Sequence, residues 1–300
     1  MVYYLSDNKQ LIFVIGDYGK GDLAFAEVTQ MILGFSKDPH IITIPVQQFN
    51  TDEAGFCALQ IAINHEKQVA GNSDNAPKIY IFMNVAPRKD SSDARNDNAG
   101  EPLMYAKLKS GLEIIGVFSG FSFSYIKPMI EKFGVINTKT SGSQFRSRDY
   151  FPEELGRIMN GDYSNVTGEY AISNIPDPGT YKILYVDGYG NIKLSVTESE
   201  MEKMFALRGT RNGNNNESLK ISVSISGTTK NVTYSQNGMF SVPESGSIIC
   251  MSPGSSGVEG NRFIEISIRC GNAAKEFGFP KAGEEVSVKK STVDYIKRIR

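Results

Sequence analysis

Two carboxylates, Asp17 and Asp22, bracket the turn in Ile12-Phe-Val-Ile-Gly-Asp-Tyr-Gly-Lys-Gly-Asp22. Carboxylates accept hydrogen bonds and attract cations, so such a pair suits a ribose diol or an ammonium group. It does not suit phosphate. A helix N-terminus holds an anion with backbone N–H groups and its dipole, and Asp17 and Asp22 would repel that anion. Gly16, Gly19 and Gly21 let the backbone turn sharply and come close to a ligand. The corner therefore points to a nucleoside or amino-acid ligand rather than a dinucleotide. The plainer alternative is that Asp22 caps the following helix and Asp17 stabilises the turn.

Other chemistries find less material. The chain has two histidines, His40 and His65, with no Cys-x-x-Cys and no His-Glu-x-x-His, so no metal site is expected. Neither histidine belongs to a recognisable nucleophile motif, which argues against a triad hydrolase. Cys57, Cys250 and Cys270 are odd in number and far apart, as expected of free thiols in a reducing cytoplasm. A net charge of −1 gives no reason to expect nucleic acid or an anionic membrane as partner. The start of the chain lacks a basic stretch followed by an apolar one. No apolar run approaches the roughly 18 residues needed to cross a bilayer. A cytoplasmic protein is expected.

The elements that must carry the acidic corner follow from periodicity. Leu11–Ile15 reads as a buried strand, and Leu23, Phe25, Val28, Met31, Ile32 and Phe35 recur at helical spacing. A strand over 41–46, a helix over 52–65 and a buried strand over 78–84 continue the alternation. That pattern predicts parallel pairing through right-handed crossovers. Val85–Pro102 is polar and long for a connection. Met104–Lys109 and Leu112–Val117 read as a strand pair across Ser110-Gly111. Tyr125, Ile126, Met129 and Ile130 predict another helix. Pro152, with Glu153 and Glu154 beside it, opens a helix that ends near Gly161.

The composition shifts to Asn, Gly, Pro and Asp between Tyr163 and Thr180, with a strong turn at Pro176-Asp-Pro-Gly179. Beyond it come short strands separated by turns. Tyr181–Val186 and Asn191–Val196 flank Asp-Gly-Tyr-Gly, and Leu219–Ser226 and Asn231–Ser235 flank Gly-Thr-Thr-Lys. Further strands are expected at 247–251, 263–269 and 285–289. Arg208–Ser218 reads as a surface loop, and the tail ending Lys297-Arg-Ile-Arg300 as a solvated face. The expected organisation is an α/β N-terminal domain over 1–176, with a mostly parallel sheet and flanking helices. A smaller all-β barrel over 177–300 would follow it.

Four islands together resemble the family of enzymes that cleave S-adenosylmethionine at its 5′ carbon, the hydroxide adenosyltransferases and the fluorinase and chlorinase enzymes. Asp17-Tyr-Gly-Lys-Gly-Asp22 resembles that family's Asp-x-Gly-x-x-Asp. Ser143-Gln-Phe-Arg-Ser-Arg-Asp149 stands before a helix, as in the family. Val186-Asp-Gly-Tyr-Gly-Asn191 resembles its Asp-x-x-Gly-Asn. Gly271-Asn-Ala-Ala274 resembles its C-terminal signature.

The resemblance implies a homotrimer with the site at the subunit interface, between one subunit's N-terminal domain and its neighbour's barrel. No cofactor is implied, S-adenosylmethionine being the substrate or ligand. It places Asp17 on the ribose hydroxyls and Phe49 beside the ribose. Asp22 and Asp187 fall on the methionine ammonium, and Asn191 with the backbone of Asn272, Ala273 and Ala274 on adenine. The alternatives are that Asp187 and Asn191 only shape their turn, Phe49 is core and Asn272 is a strand-end residue.

The catalytic set departs from the family pattern. Hydroxide-transferring members use Asp, Arg and His to orient and activate water. Here Asn84 stands at the matching strand end, and Arg146 replaces the histidine of Phe-His-Gly-Arg-Asp. Arg88 or Arg95 would supply the arginine. Phe118-Ser-Gly-Phe121 occupies the region of the family's Pro-Asp/Asn-Asn-Gly, and Val85-Ala-Pro87 does not match the halide loop. Ser147, between Arg146 and Arg148, is closer to the Tyr-Ser-Arg of the halide-using members, with helix capping as its alternative role. An amide accepts no proton at neutral pH and an arginine stays protonated, so no obvious base remains for water. Asn84, Arg146, Ser147 and Arg148 are the candidate catalytic residues. The expected reaction gives methionine with adenosine or a 5′-halo-adenosine, and the alternative is a silent binder of S-adenosylmethionine or adenosine.

Overall fold

A computed structural model of the chain describes residues 10–35, 39–71, 77–86, 100–139, 142–205, 219–243 and 247–291. The greater part of the Val85–Pro102 connection, with Arg88 and Arg95, lies outside these residues. So do all of Arg208–Ser218 and the basic tail. The chain divides into two compact units, Met1–Pro178 and Gly179–Arg300.

The first unit is built on seven strands: β1 (Gln10–Gly16), β2 (Pro39–Pro45), β3 (Lys78–Asn84), β4 (Leu103–Leu108), β5 (Glu113–Val117), β6 (Ile130–Ile136) and β7 (Val166–Glu169). Their order is β2-β1-β3-β5-β4-β6-β7. The sheet is mixed. β2, β1, β3 and β5 run parallel, whereas β4 pairs antiparallel with β5 and β6, and β6 with β7.

Helix α1 (Leu23–Leu33) buries Phe25, Val28 and Ile32 at helical spacing. These pack with Ile12 and Val14 of β1, Phe82 of β3, and Phe151 and Leu155 of the helix Phe151–Met159. Burying each such side chain contributes on the order of 1.5–3 kcal/mol, so this cluster fixes the corner above it. Helix α2 (Thr51–Gly71) also lies against β1 and β3.

The second unit carries β8 (Ile183–Val186), β9 (Ile192–Thr197), β10 (Leu219–Ile225), β11 (Thr228–Tyr234), β12 (Ile249–Val258), β13 (Asn261–Ile268) and β14 (Val286–Lys290), in the order β14-β10-β11-β12-β13-β9-β8. Pairing is antiparallel except between β11 and β12. An isolated bridge, Lys182 to Glu285, touches between residues just before β8 and β14. Alternating residues Leu194, Val196, Ile221, Val223, Ile264 and Ile266 form the core, covered by Met201 and Phe205 of the helix Glu198–Phe205.

Both halves of the expected architecture are therefore corrected. Instead of a mostly parallel α/β domain and a smaller barrel, the chain forms two mostly-β units, each on a mixed sheet of seven strands. The parallel pattern ends at β5, because the tight Ser110-Gly111 connection forces β4 antiparallel to it. The helix expected around Tyr125–Ile130 is a series of turns and a short 3-10 segment, Lys127–Met129, leading into β6. Pro128 within that segment removes a donor that a helix would need. In the second unit the β10–β11 turn is tighter than expected. Ser226 and Gly227 make it with φ of 47° and 82°, leaving Thr228–Lys230 in the strand. No described helix is long and apolar enough to cross a membrane.

Candidate functional site

Parallel register sets Gly16 of β1 opposite Asn84 of β3, so Asp17 and Asn84 emerge at the same carboxyl edge of the sheet. The Asp17 N–H donates to the Asn84 carbonyl at 3.4 Å. Asp17 Oδ2 accepts from the Phe49 backbone N–H at 3.0 Å. Phe49 adopts a left-handed φ of 62°, an uncommon conformation for an aromatic residue, and half of its surface is exposed (50%). Phe49 is therefore not core. Its segment is fixed from below by two hydrogen bonds at the head of α2. Asn50 Oδ1 accepts from the Glu53 N–H at 3.0 Å, and Glu53 Oε2 accepts from the Gln47 N–H at 2.7 Å. Burial raises the Glu53 carboxyl above the usual range, against the Gln47 hydrogen bond.

The two glycines of the turn have φ of +102° at Gly19 and +76° at Gly21. This conformation is nearly free only to glycine, and it brings Asp22 to the head of α1. Asp22 Oδ1 accepts from the Ala24 N–H at 2.8 Å, so Asp22 is the helix cap.

The short helix Arg146–Asp149, ahead of Phe151, folds back onto this corner. The Tyr18 hydroxyl donates to Ser147 Oγ at 2.9 Å, and Ser147 is buried. Burial pushes the Tyr18 phenol well above its ordinary range and the Asp17 charge adds to this, while hydrogen bonds to Ser147 and Asn84 oppose it. Tyr18 thus stays a neutral donor.

Arg146 stacks its guanidinium 5.0 Å from the Phe151 ring centre and donates to the Glu101 carbonyl at 3.4 Å. Its Nε is buried with no hydrogen-bond partner among the described residues. Burial lowers its pKa, opposed by the charge of Glu101. Arg148 is committed to structure. It grips Asp149 through Nε (2.7 Å) and Nη2 (3.0 Å), reaches Glu27 of α1 at 3.1 Å, and lies 4.9 Å from the Phe145 ring centre. Hydrogen bonds from Arg148 and then Ser143 hold the Asp149 carboxyl below its usual range.

In the second unit, Asp187 organises the β8–β9 turn. Its Oδ1 accepts from the Tyr189 and Asn191 N–H groups, both at 3.0 Å, and its Oδ2 from Asn191 Nδ2 at 3.0 Å. Lys193 Nζ lies 3.9 Å from Oδ2 and pairs with Glu265 at 2.5 Å. Asn272 caps the short helix Ala273–Glu276 by accepting from the Lys275 N–H at 2.8 Å. The Ala274 N–H donates to the Gly190 carbonyl at 2.9 Å. Gly190, at φ +82°, lies so close to the Asn272 side chain that a Cβ would overlap it. Asp187, Asn191, Asn272, Ala273 and Ala274 thus form one corner of this unit.

Within the first unit, the structure links Asp17, Phe49 and Asn84 with Ser147, and Arg146 and Arg148 flank Ser147 in sequence. Sequence reasoning missed Tyr18, which ties Ser147 to the turn whose Asp17 N–H bonds Asn84. The only signal for it was its place between Asp17 and Gly19. Asn84, Tyr18 and Ser147 are neutral hydrogen-bonding groups, Arg146 is a cation and Arg148 is spent on Asp149 and Glu27, so this set can orient a ligand but is not suited to removing a proton.

No protein-family profile matches the chain, and no curated protein does either. Among solved structures, the chain is similar to an uncharacterized conserved protein from Thermotoga maritima. The TM-score is 0.65 at 15% identity, over 92% of this chain and 99% of that one. It is also similar to a conserved hypothetical protein from Thermus thermophilus, with a TM-score of 0.58 at 14% identity over 93% and 99%. At these identities the likeness is one of fold.

Proposed function

We propose that this chain is a divergent S-adenosylmethionine-cleaving adenosyltransferase, working in the cytoplasm as a homotrimer. A lone pair of water, hydroxide or a halide forms the new bond at C5′. The C–S bond breaks with its electrons passing to sulfur, and methionine leaves as a neutral thioether. When water attacks, its proton goes to solvent. The observation that carries this reading is the Asp17 carboxylate, fixed at the strand edge by the Phe49 N–H at 3.0 Å beside a half-exposed aromatic ring. Diol hydroxyls donate to a carboxylate, and a sugar edge packs on an aromatic face.

Asp22, exposed at the head of α1, takes the ammonium. Asp187 serves the turn, because its oxygens already accept three hydrogen bonds and a lysine stands beside it. Asn191 and the Ala273 backbone take adenine, the Ala274 N–H and carbonyl being bonded within the unit. The substrate arrives activated as a sulfonium, so positioning and desolvation supply the rate. A silent binder is the second reading, favoured by Asn84, whose amide cannot take a proton from water.

Incubating the protein with S-adenosylmethionine, with and without chloride or bromide, separates the two. The enzyme gives methionine with equimolar adenosine or 5′-halo-adenosine. Measurable binding without product leaves the second reading. Neither binding nor product overturns both.

A further inference from the structure

The Tyr18 ring is wedged in place. It meets Phe25 edge-on at 5.0 Å and Phe145 at 6.0 Å between ring centres, and it lies so close to Gly16 that a Cβ there would sit 2.7 Å from it. From this fixed position its hydroxyl donates to Ser147 Oγ at 2.9 Å, while the N–H of the neighbouring Asp17 bonds the Asn84 carbonyl at 3.4 Å. Ser147 is only 4% exposed. Its oxygen accepts from Tyr18, and its own proton has no acceptor among the described residues.

A hydroxyl whose lone pair is engaged by a strong donor keeps its own O–H for another partner. We propose that Tyr18 is a positioning residue that holds Ser147 as a hydrogen-bond donor toward the reacting group at the Asn84 strand edge. This rests on the adenosyl-transfer reading of the same corner. Because the phenol remains protonated, Tyr18 is never the base; it acts through Ser147.

The test compares Tyr18→Phe, Ser147→Ala and the double variant with the wild-type protein. S-adenosylmethionine affinity is measured by calorimetry, and kcat and KM by methionine release. Tyr18→Phe keeps the ring and its packing. The expected result is a fall in kcat of about tenfold in each single variant, with KM and affinity within about twofold. The double variant should be no slower than Ser147→Ala, as expected of groups acting as one unit.

An unchanged kcat in Tyr18→Phe, or losses that multiply to about a hundredfold, would overturn the proposal. Wild-type binding without methionine release overturns it while sparing the binding site, and absence of binding removes the reading beneath it. Should Tyr18→Phe not fold, Ser147→Ala against Ser147→Thr carries the test. Thr restores the rate if the donor matters, and equal rates overturn the proposal.

Discussion

The Tyr18 phenol donates to the Ser147 hydroxyl at 2.9 Å, joining the turn after β1 to a short helix, Arg146–Asp149, with Ser147 lying 129 residues further along the chain. With Asp17 bonded to Phe49 and Asn84 alongside, four separate stretches of the chain meet at this corner. The carboxylates of the corner are Asp17 and Asp22, where a diol or an ammonium is the fitting partner.

Asp22 caps α1, and in the proposed function it takes the ammonium as well. Asp22→Ser keeps a good cap, so stability should change by less than about 0.5 kcal/mol, whereas Asp22→Ala should cost about 1 kcal/mol. Both variants should weaken S-adenosylmethionine binding alike, because both remove the charge. Urea denaturation and calorimetry on the pair check this. Full affinity in Asp22→Ser would take the ammonium role from Asp22.

Gly190→Ala meets both obstacles to a side chain, a φ of +82° and the adjacent Asn272 side chain. It should destabilise the chain by roughly 1–3 kcal/mol and displace Ala274, whose N–H bonds the Gly190 carbonyl. Urea unfolding checks this. A loss below about 0.3 kcal/mol would mean that the turn and the short helix move independently.

Much of this was legible, and the gaps have physical causes. The apolar runs at Leu11–Ile15 and Lys78–Asn84 announce β1 and β3, because β3 is buried on both faces and β1 is buried on one and half-buried on the other. The strands of the second unit were readable from alternation and turns. Pairing direction was not, since it depends on which distant strands meet. The spacing of Tyr125, Ile126, Met129 and Ile130 fits a helix, yet Ser122 bonds the Val117 carbonyl and the Ser119 N–H and folds the segment into turns. The helix Glu198–Phe205 was overlooked although its start was written in the chain. Thr197-Glu-Ser-Glu200 is a capping box, and Glu200 Oε2 accepts from the Thr197 N–H at 2.7 Å. At the site, Asp17 and Asp22 stand out by type and spacing. Tyr18 becomes functional only through a contact distant in sequence.

His65 supplies a pH prediction. Burial lowers its pKa from 6.5, and its Nδ1 lies 3.1 Å from the Ser110 hydroxyl. As pH falls the unfolded chain takes up the proton first, so the stabilisation is full above the unfolded value and drains away below it. Between about pH 7.5 and about pH 5.5 the wild-type protein should lose more stability than His65→Gln in urea titrations. Parallel losses in the two proteins would show that His65 titrates alike folded and unfolded.

The central claim, a sugar diol on the Asp17 carboxylate, is tested most directly by titrating adenosine into the wild-type protein and Asp17→Ala by calorimetry. Measurable binding is expected, weakened by about 1–3 kcal/mol in the variant, the cost of leaving the ribose hydroxyls without their acceptor. Equal adenosine affinity in the two proteins would contradict it.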